Sequence, residues 1–120
     1  MEDLKQNLIG KNVIIRTYSA GVHFGKLVLK EYTPAGTIVV LEKSRRIFSW
    51  EGANTISDLS TYGTTKIDDC KISLPTRQIE LTAIEINEMT DVASECLYGS
   101  DYWKVSKLND TEIDKILNIA

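Results

Sequence analysis

Asn12-Val13-Ile14-Ile15-Arg16-Thr17-Tyr18-Ser19-Ala20-Gly21-Val22-His23-Phe24-Gly25 is the stretch that decides the fold. β-Branched and aromatic residues dominate Asn12 to Tyr18 and again Val22 to Tyr32, while Ser19-Ala20-Gly21 between them carries turn chemistry. The two segments predict a β-hairpin. A three-residue loop over Ser19 to Gly21, with Gly21 left-handed, sets Tyr18 opposite Val22 and Arg16 opposite Phe24. A two-residue Ala20-Gly21 loop sets Tyr18 opposite His23 and Arg16 opposite Gly25. One residue of slip moves His23 to the other face. The first register is the better chemical match, and it groups Arg16 with Tyr18 and not with His23.

Outward from the hairpin, the turn Thr33-Pro34-Ala35-Gly36 leads into Thr37 to Glu42, whose Ile38-Val39-Val40-Leu41 centre reads as a buried strand. Lys43-Ser44 separates it from Arg45 to Trp50, so the first fifty residues read as a four-stranded meander. Ser57 to Tyr62 reads as a single helical turn stopped by Gly63. Ile79, Leu81, Ile84 and Ile86 mark a further strand whose apolar phase slips by one residue near Ala83, as a β-bulge would make it do. Thr90 caps a helix over Asp91 to Tyr98 that Gly99 ends. Asn109 with Glu112 fits a capping box, followed by the stripe Ile113, Ile116 and Leu117, which docks on its own core or on a neighbouring copy. The expected class is α+β: a small, mainly antiparallel sheet or partly open barrel-like meander with short helices and a C-terminal helix. One domain is expected over 1–120, with a β-rich core at 9–88 and a helical extension at 89–120.

Composition narrows the function. With 42% hydrophobic and 26% charged residues the chain is built to fold. Seventeen acidic against 14 basic residues give a net charge of -3, which lacks the global positive field of sequence-independent nucleic-acid binding. Met1 to Leu8 has acids where a signal peptide needs a basic start, and no apolar run approaches the roughly 18 residues of a membrane span. A cytosolic protein is the expectation. Cys70 and Cys96 are too few for a disulfide framework, and with His23 as the sole histidine they cannot close a zinc site. They read as free thiols.

The density of recognition-type side chains on the β-ribbon points to binding more than to chemistry. Arg16, inside an apolar strand, needs a partner or water: either a salt bridge takes it, or its planar fork faces a phosphate or carboxylate. Arg45 and Arg46 are adjacent and project to opposite faces of a strand. Arg46, Phe48 and Trp50 then line one face, either as a stacking surface or with the rings in the core and Arg46 snorkelling. Gly21 is explained by its turn, whereas Gly25 inside a strand signals a bulge or a close approach. Neither Gly-x-x-x-x-Gly-Lys nor Gly-x-Gly-x-x-Gly occurs, so no nucleotide cofactor motif is present. His23 with Cys70 as base and nucleophile has no local signature behind it. Asp68-Asp69 and Glu80, Glu85 and Glu88 follow no calcium-loop pattern and read as solvated faces.

Val13 to Leu27 followed by Arg45 to Leu59 resembles a family of small bacteriophage proteins of unassigned function, with similarity over Ile9 to Glu88. Lys30 to Pro34 and the tail after Thr90 depart from the family pattern. The resemblance implies an accessory protein made in the cytoplasm of an infected bacterium, a setting in which small proteins serve as counter-defence factors and some sequester nucleotide immune signals. The expected function is non-enzymatic binding of a small anionic ligand of cyclic-nucleotide or ADP-ribose type. Arg16 and Arg45 or Arg46 would neutralise phosphate, Tyr18 or Trp50 would stack, and His23 or Ser19 would hydrogen-bond. A homo-oligomer is expected, because one small sheet offers little concavity. The rivals are a protein-interaction module using the aromatic, arginine-rich strand and a hydrolase of a nucleotide signal.

Overall fold

The computed structural model describes residues 8–105 and 109–118, so Met1 to Asn7, on which the leader reading rests, lie outside it. Among the described residues, five strands and three α-helices follow in chain order: β1 (Asn12–Thr17), β2 (Val22–Thr33), β3 (Gly36–Ser49), α1 (Ile56–Thr61), β4 (Lys71–Ile72), β5 (Thr76–Glu88), α2 (Asp91–Tyr98) and α3 (Asp110–Leu117), with a short 3-10 turn at Ile67–Asp69 before β4. The strand order is β2-β1-β5-β3-β4, all antiparallel, and β2 also pairs with β3. β1, β2, β3 and β5 therefore form a partly closed ring, with β4 on its outer edge. The class is α+β, as the sequence predicts.

Two apolar clusters explain why Val13-Ile14-Ile15 has no polar alternation: the strand is covered on both faces. Val13 and Ile15 join Leu27, Val39, Leu41, Leu81 and Ala83 inside the ring. Ile14 faces out and joins Phe24, Ile47 and Ile72 beneath Leu59 of α1 and Ala93 and Leu97 of α2. The helices are fixed at their starts by caps. Thr55 accepts from the Asp58 amide, and Thr90 accepts from the Ala93 amide while donating to the Thr61 carbonyl at 2.6 Å. That last bond ties α2 to α1. The Asn109 cap of α3 also forms, through the Glu112 amide.

The hairpin register differs from both readings of the sequence. Arg16 pairs with Val22 and Ile15 with His23, leaving Tyr18, Ser19 and Ala20 as the loop tip. Thr17 is the reason: its hydroxyl donates to the Gly21 carbonyl at 2.8 Å and accepts from the Ala20 amide at 2.9 Å, closing the turn one residue early. The parity is that of the three-residue loop, so Arg16 and His23 still project to opposite faces. The meander has three strands and not four, because the two segments flanking Lys43 and Ser44 are one strand, β3. A bulge at Lys43, whose φ is 50°, absorbs the break. The bulge expected near Ala83 is present, since Arg16 pairs with Glu85 but Thr17 with Ala83. Ile84 is the extra residue.

A candidate anion-binding cleft

Gly25 is where the cleft begins. A Cβ there would stand 3.0 Å from the Glu42 carbonyl oxygen and 3.1 Å from the Ser44 Cα, so glycine is what lets β3 bulge against β2. The bulge turns Lys43 out of the ladder. Its carbonyl accepts the Tyr98 hydroxyl at 2.9 Å, and its ammonium lies 5.8 Å from the centre of the Tyr98 ring. Tyr98 is itself held edge-on to Phe24, ring centres 4.8 Å apart, and burial pushes its pKa well above the usual phenol value. The hydroxyl is therefore a fixed donor.

Around that bulge opens a cleft of about 540 Å³, within the size range of small-molecule sites. Its floor is one row of cross-strand neighbours on the outer face: Asn12 pairs with Lys26, Lys26 with Glu42, and Glu42 with Gln78. Lys43 and Arg77 stand between the rungs Glu42–Gln78 and Ser44–Thr76. Tyr98 and Asn118, the left-handed cap of α3, form the walls. Three cations and one carboxylate thus meet three side-chain amides in a chain whose net charge is -3. A larger hollow of about 650 Å³, between Gly99 to Val105 and Asn109 to Asp110, presents Asp101 and Asp110 against Lys104 alone. Its charge is wrong for an anion.

The residues singled out from the sequence fall elsewhere. Arg16 is exposed and its Nε donates to Glu85 at 2.9 Å across the β1–β5 ladder. A hydrogen bond from the Asn87 amide at 2.7 Å, and after it the contact with Arg16, hold the Glu85 carboxyl below its ordinary range. Tyr18 and Ser19 lie exposed at the hairpin tip. His23 is 4% exposed and its Nε2 donates to the Ala20 carbonyl at 2.8 Å. Burial lowers its pKa, opposed by that bond and reinforced by Arg46. Arg46 lies across from His23, and a Cβ on Gly21 would come within 3.0 Å of its Nε. Trp50 packs against the outer cluster.

Arg45 is enclosed. It is 1% exposed, and its guanidinium donates to five backbone carbonyls: Ser73 at 2.7 Å, Leu97 and Asp101 at 3.2 Å, and Tyr98 and Ser100 at 3.4 Å. The end of α2 presents unpaired carbonyls and partial negative charge, which a buried fork of donors satisfies. No donor is left for a ligand. His23 and Cys70 do not meet either, since the Cys70 thiol contacts the Glu51 and Lys66 carbonyls. Both cysteines are free. Among the described residues no three His, Cys, Asp or Glu side chains converge as metal ligands would.

Arg46 and Phe48 do share a face, but their third partner is Trp103 and not Trp50. The Phe48 and Trp103 ring centres are 4.9 Å apart, with Arg46 5.1 Å from the Phe48 ring and Lys71 and Lys104 5.6 and 4.7 Å from the Trp103 ring. Trp103 has no local sequence signal for this place: it is brought beside β4 by the bond from its amide to the Ile72 carbonyl at 2.9 Å, across some thirty residues of chain. Lys26, Lys43 and Arg77 were missed for a different reason. Each reads as an ordinary surface cation, and only the strand register gathers them.

The fold and cleft define a small α+β protein built on a partly closed four-strand ring, with an open, cation-lined hollow on its outer face. No helix among the described residues is long and apolar enough to cross a membrane. The chain belongs to the family described as a domain of unknown function (DUF6948), whose model matches residues 10–97. Neither the curated proteins nor the solved structures contain a match. The matched region contains the whole strand ring, α1 and most of α2, and ends before α3.

Proposed function

We propose that this protein binds, without chemical turnover, a small anionic nucleotide-like ligand in the cleft floored by Asn12, Lys26, Glu42 and Gln78. The convergence of Lys26, Lys43 and Arg77 on one hollow, in a chain of net negative charge, is the observation that carries this reading. The cations neutralise phosphate, and the Asn12, Gln78 and Asn118 amides are suited to hydrogen-bond sugar or base. In the bacteriophage setting that the sequence resembles, such binding would withdraw a bacterial nucleotide signal from the infected cytoplasm. Calorimetry against pyrophosphate, ADP-ribose and cyclic dinucleotides tests it. The wild type should bind at least one of them, and Lys26→Ala with Arg77→Ala should weaken binding by about tenfold or more, one charged contact being worth roughly 1.5–3 kcal/mol. Absence of heat throughout, or equal heat from the double variant, would refute the proposal.

The Phe48–Trp103 pair favours a second reading, a surface for a protein partner. Aromatic residues beside arginine are typical of interface hot spots, and Phe48 is 48% exposed. If a partner is held there, Trp103→Ala releases it while ligand heat in the cleft is unchanged. A partner retained by Trp103→Ala and Phe48→Ala alike rules this surface out.

A further inference from the structure

We infer that Asp114 of α3 is a built-in substitute for the ligand's anion and that α3 is a lid that the ligand must displace. The inference rests on the cleft being the binding site. Asp114 Oδ1 lies 2.9 Å from the Lys43 ammonium, the cation that the bulge turns into the cleft. That oxygen is shielded from water, and its geometry gives it no hydrogen-bond partner, so Lys43 is its electrostatic partner rather than an ideal one. A carboxylate held this way offers one negative charge where a phosphate could offer two with more acceptor atoms.

The rest of α3 is held lightly. Ile113 is its one buried side chain, Ile116 is 69% exposed, and its first turn is tied by the Tyr102 hydroxyl donating to Asp110. Its far end places Asn118 on the cleft wall, so outward movement of the helix widens the cleft as it frees Lys43. The family match ends at residue 97, so this lid lies outside the matched region while the cations it covers lie within it. A ligand that binds only the open form pays the cost of opening, and removing the latch recovers it.

Full-length wild type and Asp114→Asn are titrated with inorganic pyrophosphate at low ionic strength, with Asp114→Ala as a second variant and circular dichroism to confirm folding. Loss of a partly exposed ion pair should tighten binding by about two- to fivefold, and a Lys43→Ala background should abolish that gain. Saturating pyrophosphate should also speed hydrogen exchange of the α3 amides in the wild type. Equal affinities for wild type and both Asp114 variants, with binding still sensitive to Lys26→Ala, would overturn the lid and leave the cleft standing. No binding by any variant, or binding indifferent to Lys26 and Arg77, would remove the cleft and the lid with it.

Discussion

A guanidinium within a strand either reaches outward for a partner or is enclosed by one, and the chain holds both cases two strands apart. Arg16 takes a carboxylate at the surface, where such a pair contributes about 0.2–1 kcal/mol. Arg45 takes the carbonyls that end α2, and there the loss of the side chain leaves buried acceptors unpaired. Arg45→Met should therefore lower the unfolding free energy by about 2–5 kcal/mol in urea denaturation. Arg45→Lys should recover little of it, because one ammonium cannot span the same carbonyls. A stable Arg45→Met protein would mean that α2 is held without this cap. The sequence shows that Arg45 and Arg46 oppose one another, but not which is enclosed. That depends on where residues 97–101 pass, more than fifty positions downstream.

Local chemistry makes most elements legible: Thr90, Asn109 and Gly99 stand where caps and stops are needed, and the phase slip at Ala83 marks a bulge that forms. The exceptions are places where a distant backbone decides. Lys43-Ser44 reads as a break between strands because its residues are polar, yet the ladder to β5 resumes beyond it with Ser44 opposite Thr76. Gly25 carries the only local signal of this, and it sits on the neighbouring strand. Gly25→Ala drives a methyl into the Glu42 and Ser44 backbone, where neither atom can swing aside as a side-chain tip would. A cost of about 1–3 kcal/mol is expected in the urea midpoint. Because Lys43 owes its direction to the bulge, ligand affinity should fall as well. An unchanged midpoint would show that the bulge does not depend on this approach.

At the scale of the molecule, closure is what produces the site. A flat β1–β2–β3 meander leaves β5 unplaced, whereas pairing β5 with both β1 and β3 brings Gln78 and Arg77 beside Glu42 and Lys43. No spacing along the chain records that neighbourhood, whereas the cations nearest the hairpin stand within recognisable strand segments. The strand ring, α1 and most of α2 fall within the family match, and α3 stands outside it. Assigned amide spectra titrated with inorganic pyrophosphate test the central claim most directly. Saturable shifts should centre on Lys26, Lys43, Arg77 and Gln78 and extend into α3. Shifts confined to the Tyr18 loop or the Arg46, Phe48 and Trp103 surface, or none at millimolar pyrophosphate, would contradict it.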